Sequence, residues 1–125
     1  MTPAERVRRL RYEAAELADQ QRFVEARDAY LVAADAAEEI GLPGFAADAW
    51  ALRAAARRMH VVAWARSIDP KITSSDVMMR PRRGTGTREE VRLFTIASPG
   101  PQGRGIFLTV VRVGKRGDVR IVAFP

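Results

Sequence analysis

Residues 91–124 read VRLFTIASPGPQGRGIFLTVVRVGKRGDVRIVAF. Three runs rich in β-branched and aromatic residues, Val91–Ala97, Ile106–Val113 and Val119–Phe124, are separated by SPGPQGRG and by Gly114-Lys115-Arg116-Gly117. Runs of this kind bounded by Gly and Pro predict strands. Connections this short join antiparallel neighbours, because a parallel crossover needs far more chain. The simplest topology is a meander. In the middle run Phe107, Val111 and Val113 oppose Ile106, Leu108 and Val110, so both faces of that strand are apolar. One face is expected to pack on helices. The other needs a helix, a loop or another chain over it, or it exposes an apolar patch.

Working upstream, Arg80–Thr87 reads RPRRGTGT, a basic loop, and Val77-Met78-Met79 before it is a short candidate strand. Ile72–Asp76 is turn-like. Before Asp69-Pro70 the pattern becomes helical, since the residue preceding a proline is driven out of the α region. Thr2-Pro3-Ala4-Glu5 is a capping-box start, and Val7, Leu10, Ala14 and Leu17 then recur at helical spacing, predicting a helix to about Asp19. Gln20–Arg22 is a short link. Phe23, Ala26, Tyr30, Ala33 and Ala37 form a second apolar stripe, which Gly41 and Pro43 terminate. A third helix begins near Gly44 or Phe45 and carries Ala49, Leu52, Ala56 and Met59 along one face. Val61, Val62 and Trp64 either extend it to Arg66 or open an extended segment. The chain therefore reads as α+β: an N-terminal three-helix layer followed by a C-terminal antiparallel sheet of three or four strands. It is taken as a single domain over 1–125, with a helical half at about 1–67 and a basic, β-rich half at about 68–125.

Leu10, Ala14 and Leu17 in the first helix, with Ala26, Tyr30 and Ala33 in the run RFVEARDAYLVAA, resemble one tetratricopeptide-type helical hairpin over about residues 10–38. Microtubule-interacting and transport-type bundles look similar over the same residues. The sequence departs from the repeat pattern at Glu38, where the family places its closing proline, and no second full repeat follows. The resemblance implies protein recognition in a groove, not catalysis. A lone repeat cannot bury its own face, so further elements must cover it.

Charge divides the chain as sharply as periodicity does. Residues 1–60 hold nine Arg against ten acids, a net of −1. Residues 61–125 hold ten Arg and two Lys against five acids, a net of +7. A basic half of this kind points to an acidic partner: nucleic acid, an anionic surface or an acidic protein. A genome rich in Arg codons accounts for Arg in place of Lys but not for the loss of acids from the second half. The candidate binding residues are Arg80, Arg82, Arg83, Arg88, Arg104, Arg112, Lys115, Arg116 and Arg120. Arg112 and Arg120 are expected to approach each other across the last hairpin, with the loop cations Arg82, Arg83, Arg104, Lys115 and Arg116 joining them on one rim. Guanidinium groups bind both phosphate and carboxylate in bidentate fashion. Phe94, Phe107 and Phe124, the aromatics of that half, read as core residues rather than stacking platforms.

Little else carries chemistry. With no Cys and one His, thiolate and imidazole metal sites are not expected, nor is any cofactor. His60 is the one group suited to proton transfer near neutral pH, but Asp69, Ser74 and Ser75 stand at no diagnostic spacing from it. The glycines of Arg83–Thr87 and Gly100–Gly105 lack the Lys-Ser/Thr of a phosphate-binding loop. The first residues show no apolar leader and no apolar run is long enough to span a membrane, so a cytoplasmic protein with no membrane partner is expected. The leading expectation is a non-enzymatic interaction or adaptor protein that docks an acidic partner through a helical face or the Arg-rich sheet. A nucleic-acid-binding module using the basic half is the alternative. A small metal-independent ribonuclease-like toxin, or a phage or mobile-element inhibitor of a host nucleoprotein, comes third. The double-sided apolar strand adds homo-oligomerisation to these expectations.

Overall fold

The computed structural model of the chain describes residues 1–80, 91–100 and 103–123. Three helices come first: α1 (Pro3–Asp19), α2 (Phe23–Ile40) and α3 (Pro43–Ile68). A 3-10 turn (Ser74–Asp76) leads into strands β1 (Val77–Met79), β2 (Leu93–Pro99), β3 (Ile106–Val113) and β4 (Val119–Ala123). The arrangement is α+β, three helices followed by a four-stranded antiparallel sheet in the order β1-β2-β3-β4. The chain forms two compact units, residues 1–59 and 60–125, with the boundary inside α3.

In the first unit, the Thr2 hydroxyl accepts the Glu5 N–H at 3.1 Å and Pro3 occupies the first turn. This satisfies an amide that has no intrahelical partner. α2 ends where the sequence expects, at Gly41, whose φ of +74° continues the chain in the left-handed region. The core is small-residue packing: Val7 with Ala33, Ala34, Ala36 and Ala37 of α2 and Ala49 and Leu52 of α3. Leu10, Tyr30, Ile40 and Phe45 pack around it, only partly buried. Alanine faces let helix axes approach closely, and the larger side chains seal the margin. Burial pushes the Tyr30 hydroxyl above its ordinary pKa, an effect that Arg11 and Arg58 partly offset.

α3 runs unbroken to Ile68. Val61 and Val62, β-branched and equally readable as a strand, are fully buried on this helix together with Ala65. Asp69 then turns the chain by accepting the Lys71 N–H at 3.0 Å, and Arg66 donates to the Ile72 carbonyl at 2.7 Å. In the sheet, Val77 pairs with Ile96, and Phe94 with Val111. With Val113 these side chains form a buried face whose centre, Phe94 and Val111, is wholly closed to solvent. Phe107, expected in the core, lies near the outer end of that face and is 51% exposed. Phe124 lies outside the described residues.

Candidate interaction surface

The open face of the sheet follows from strand alternation, which sends Met78, Leu93, Ile106, Leu108, Val110, Arg112 and Arg120 to the side opposite Phe94 and Val111. Of these, Val110 is buried and Leu93 half-buried. Ile106 is 74% exposed, and Met78 and Leu108 are exposed as well. The second apolar face of β3 is thus closed at Val110 and open toward Leu108 and Ile106.

Three strands and the residue that follows β1 carry one row of side chains across the end of this face. Leu93 is the register partner of Arg112, and Arg112 of Arg120. Beyond β1 the backbone continues the pairing, since the Arg80 N–H donates to the Leu93 carbonyl at 2.8 Å. Alternation places Arg80 on the same side as Met78. The row reads Arg80, Leu93, Arg112, Arg120. With neighbouring strands about 4.8 Å apart, it is roughly 14 Å long. All three arginines are exposed. Arg120 holds Asp118 at 3.1 Å with its side chain 81% exposed, and no described carboxylate pairs with Arg112. Like charges placed directly opposite on adjacent strands repel. The Arg112–Arg120 pair therefore opposes folding while presenting two guanidinium groups to solvent.

The turn beside the row is built to a fixed shape. Gly114 donates to the Asp118 carbonyl at 2.8 Å and Gly117 to the Gly114 carbonyl at 3.0 Å. Gly117 adopts φ +84°, where a side chain is strained. The His60 ring meets the Gly117 carbonyl at 2.6 Å. A carbonyl only accepts, so Nε2 carries the proton in this contact. His60 thus anchors the turn that presents Lys115 and Arg116, both exposed.

The expected rim of cations is divided by the topology. Arg112, Lys115, Arg116 and Arg120 gather at one end, and Arg80 joins them. Arg104 does not, because the β2–β3 loop lies at the opposite end of β3 from the β3–β4 turn. Arg104 lies in the loop beyond Ile106, and Ile106 is itself six residues from Arg112 along β3, about 20 Å at 3.3 Å per residue. Arg82, Arg83 and Arg88 lie outside the described residues. Arg92 donates to the Val113 carbonyl at 3.3 Å, a contact within the sheet.

The helical unit has a surface of its own. The exposed residues of α2 are Val24, Glu25, Asp28, Leu31, Val32, Asp35, Glu38 and Glu39, aliphatic or acidic in every case. Arg22 pairs with Glu25, Arg27 with Asp28, and Arg53 with both Asp35 and Glu38. The hydrogen bond to Glu38, with that to Asp35, holds the Arg53 guanidinium above its ordinary pKa. Below this surface an open cleft of about 500 Å³ between the start of α1 and the end of α2 is lined by Pro3, Arg6, Ala36 and Ile40 among others.

Among the described residues, no group of three His, Cys, Asp or Glu side chains is placed to hold a metal ion. No described helix is long and apolar enough to cross a membrane. Comparison with protein-family models, with curated proteins and with solved structures finds no match to this chain.

Proposed function

We propose that the chain is a non-enzymatic protein-interaction module whose open sheet face docks an acidic, aliphatic protein segment. The observation that carries this reading is the row Arg80, Leu93, Arg112, Arg120, with exposed Met78 beside it and exposed Leu108 and Ile106 farther along the same face. Guanidinium groups can pair with carboxylates in two-point hydrogen bonds. The aliphatic side chains next to them supply area to be dried on contact. A partner with carboxylates flanking branched aliphatic residues satisfies both. The tetratricopeptide-type pattern of the helical hairpin also favours protein recognition.

Nucleic acid is the competing partner for a basic surface. Single-stranded binders stack bases on aromatic side chains, and the open face carries none among the described residues. Phe107 belongs to the opposite side of β3. Titrating a labelled peptide of alternating Glu and Leu, and separately labelled single-stranded RNA and duplex DNA, tests the assignment by fluorescence anisotropy. The expected result is peptide binding that weakens at least tenfold in R112Q, with nucleic acid bound more weakly at moderate salt. Tighter binding to nucleic acid, with a log–log salt slope near −0.7 or −0.9 per contacted phosphate, overturns the protein assignment in favour of a phosphate-backbone site.

A further inference from the structure

The pattern of the cationic row has a counterpart on the same chain. On α2, Asp28, Asp35 and Glu39 fall within about 40° of one line along the helix at 100° per residue, and Leu31 and Val32 flank that line between the first two acids. At 1.5 Å rise per residue, Leu31 and Val32 stand about 5 Å beyond Asp28, Asp35 about 10.5 Å and Glu39 about 16.5 Å. On the sheet, Leu93 stands about 5 Å from Arg80, Arg112 about 10 Å and Arg120 about 14 Å. The helix thus reads acid, aliphatic, acid, acid where the sheet reads base, aliphatic, base, base, with matching gaps.

We propose that α2 of a second copy of this chain lies across the row, giving a head-to-tail association. The proposal rests on the reading of the open face as a site for an acidic protein segment, and names that segment. Asp28 is set against Arg80, Leu31 and Val32 against Leu93, Asp35 against Arg112, and Glu39 against Arg120. The acids are available for this exchange. Asp28 and Asp35 have side chains 61% and 71% exposed despite their pairs with Arg27 and Arg53. Such exposed ion pairs hold their partners weakly. The two surfaces lie on different patches of one molecule, so the contact is heterologous. It propagates into a chain of copies, or closes into a ring where the rotation permits.

Neutral, nearly isosteric variants of the full chain test this by sedimentation velocity and light scattering in low salt. D28N/D35N/E39Q leaves the sheet row intact, and R80Q/R112Q/R120Q leaves the helix intact. The wild type is expected to grow in mass with concentration beyond two copies, and each variant alone to remain monomeric with an unchanged circular dichroism spectrum. An equal mixture of the two is expected to form a complex that stops at two chains, because each variant contributes one working surface. A wild type that stays monomeric to ~1 mM, weaker than the millimolar end of ordinary recognition, overturns the proposal. So does a mixture that fails to pair, or association that both variants retain. Peptide binding at Arg112 without self-association would reject the second copy and leave the acidic-segment reading intact. Absence of both would reject the two together.

Discussion

Replacing Arg112 with Glu should make the protein more stable and less able to bind. Arg112 stands directly opposite Arg120 across β3 and β4, and Arg120 keeps Asp118 at 3.1 Å. The substitution converts a like-charge pair into an opposite-charge pair without touching that contact. Each such cross-strand pair changes stability by roughly 0.2–1 kcal/mol, so removing one repulsion and adding one attraction gives a swing of about 0.4–2 kcal/mol. Both side chains are exposed, so salt should erase most of it. The screening length falls from about 10 Å at 0.1 M to about 3 Å at 1 M. Urea unfolding at low and high salt measures the gain, and the peptide titration run alongside measures the loss, expected to be at least tenfold. A drop in stability exceeding ~0.5 kcal/mol, the usual range of a surface site, would show that Arg112 makes an intramolecular contact that the exposed row does not account for. Unchanged affinity would show that the row is not the docking site.

Truncating Tyr30 to Ala should cost about 1.5–3 kcal/mol in urea unfolding, below the 3–5 kcal/mol of a fully buried aromatic, because Tyr30 packs at the margin of the alanine core. The Tyr30 pKa is raised above 10.0 in the folded state, so its contribution is complete below pH 10.0 and declines as pH rises through the folded value. Unfolding midpoints between pH 8 and 11 should show this decline, and Y30F should remove it. Substituting His60 with Ala deletes the donor to the Gly117 carbonyl and should cost about 1 kcal/mol, the net worth of one such hydrogen bond. G117A should cost about 1–2 kcal/mol through the left-handed backbone alone, and amide exchange should locate both losses at the turn.

Where a local rule and burial agreed, the sequence was a good guide. Thr2, Pro3 and Glu5 mark the start of α1, and Gly41 with Pro43 marks the break between α2 and α3, because capping and backbone restriction act over three or four residues. Val61 and Val62 were ambiguous because their β-branching favours a strand, while their burial, complete in the structure, favours whichever element closes the core. β2 is displaced two residues from its expected span. Its limits come from pairing with β3, where Pro99 meets Ile106 and the Gly100 N–H meets the Gly105 carbonyl. The open site was half legible. The five residues between β3 and β4 make these strands neighbours, and the register they adopt sets Arg112 directly opposite Arg120. Arg80 enters the row only through the pairing of β1 with β2, across a connection whose length says nothing about register. The meander itself keeps Arg104 out of the row, since consecutive loops lie at opposite ends of the strand they share.

Composition alone does not produce this surface. A bias toward Arg codons raises the number of guanidinium groups everywhere, and the first sixty residues carry nine of them. There they are balanced by acids, and Arg9, Arg22, Arg27 and Arg53 are each paired with a carboxylate. On the sheet the same residue type stands in one cross-strand row, with Asp118 as the single acid contacting it among the described residues. Segregation of base with aliphatic on the sheet, and of acid with aliphatic on α2, produces two surfaces that are each poorly satisfied by water alone. Uncovered branched side chains favour being dried, and a row of three guanidinium groups with one carboxylate, Asp118, against it favours a further anion. A single acidic, aliphatic segment relieves both at once, whereas a phosphate backbone relieves only the second.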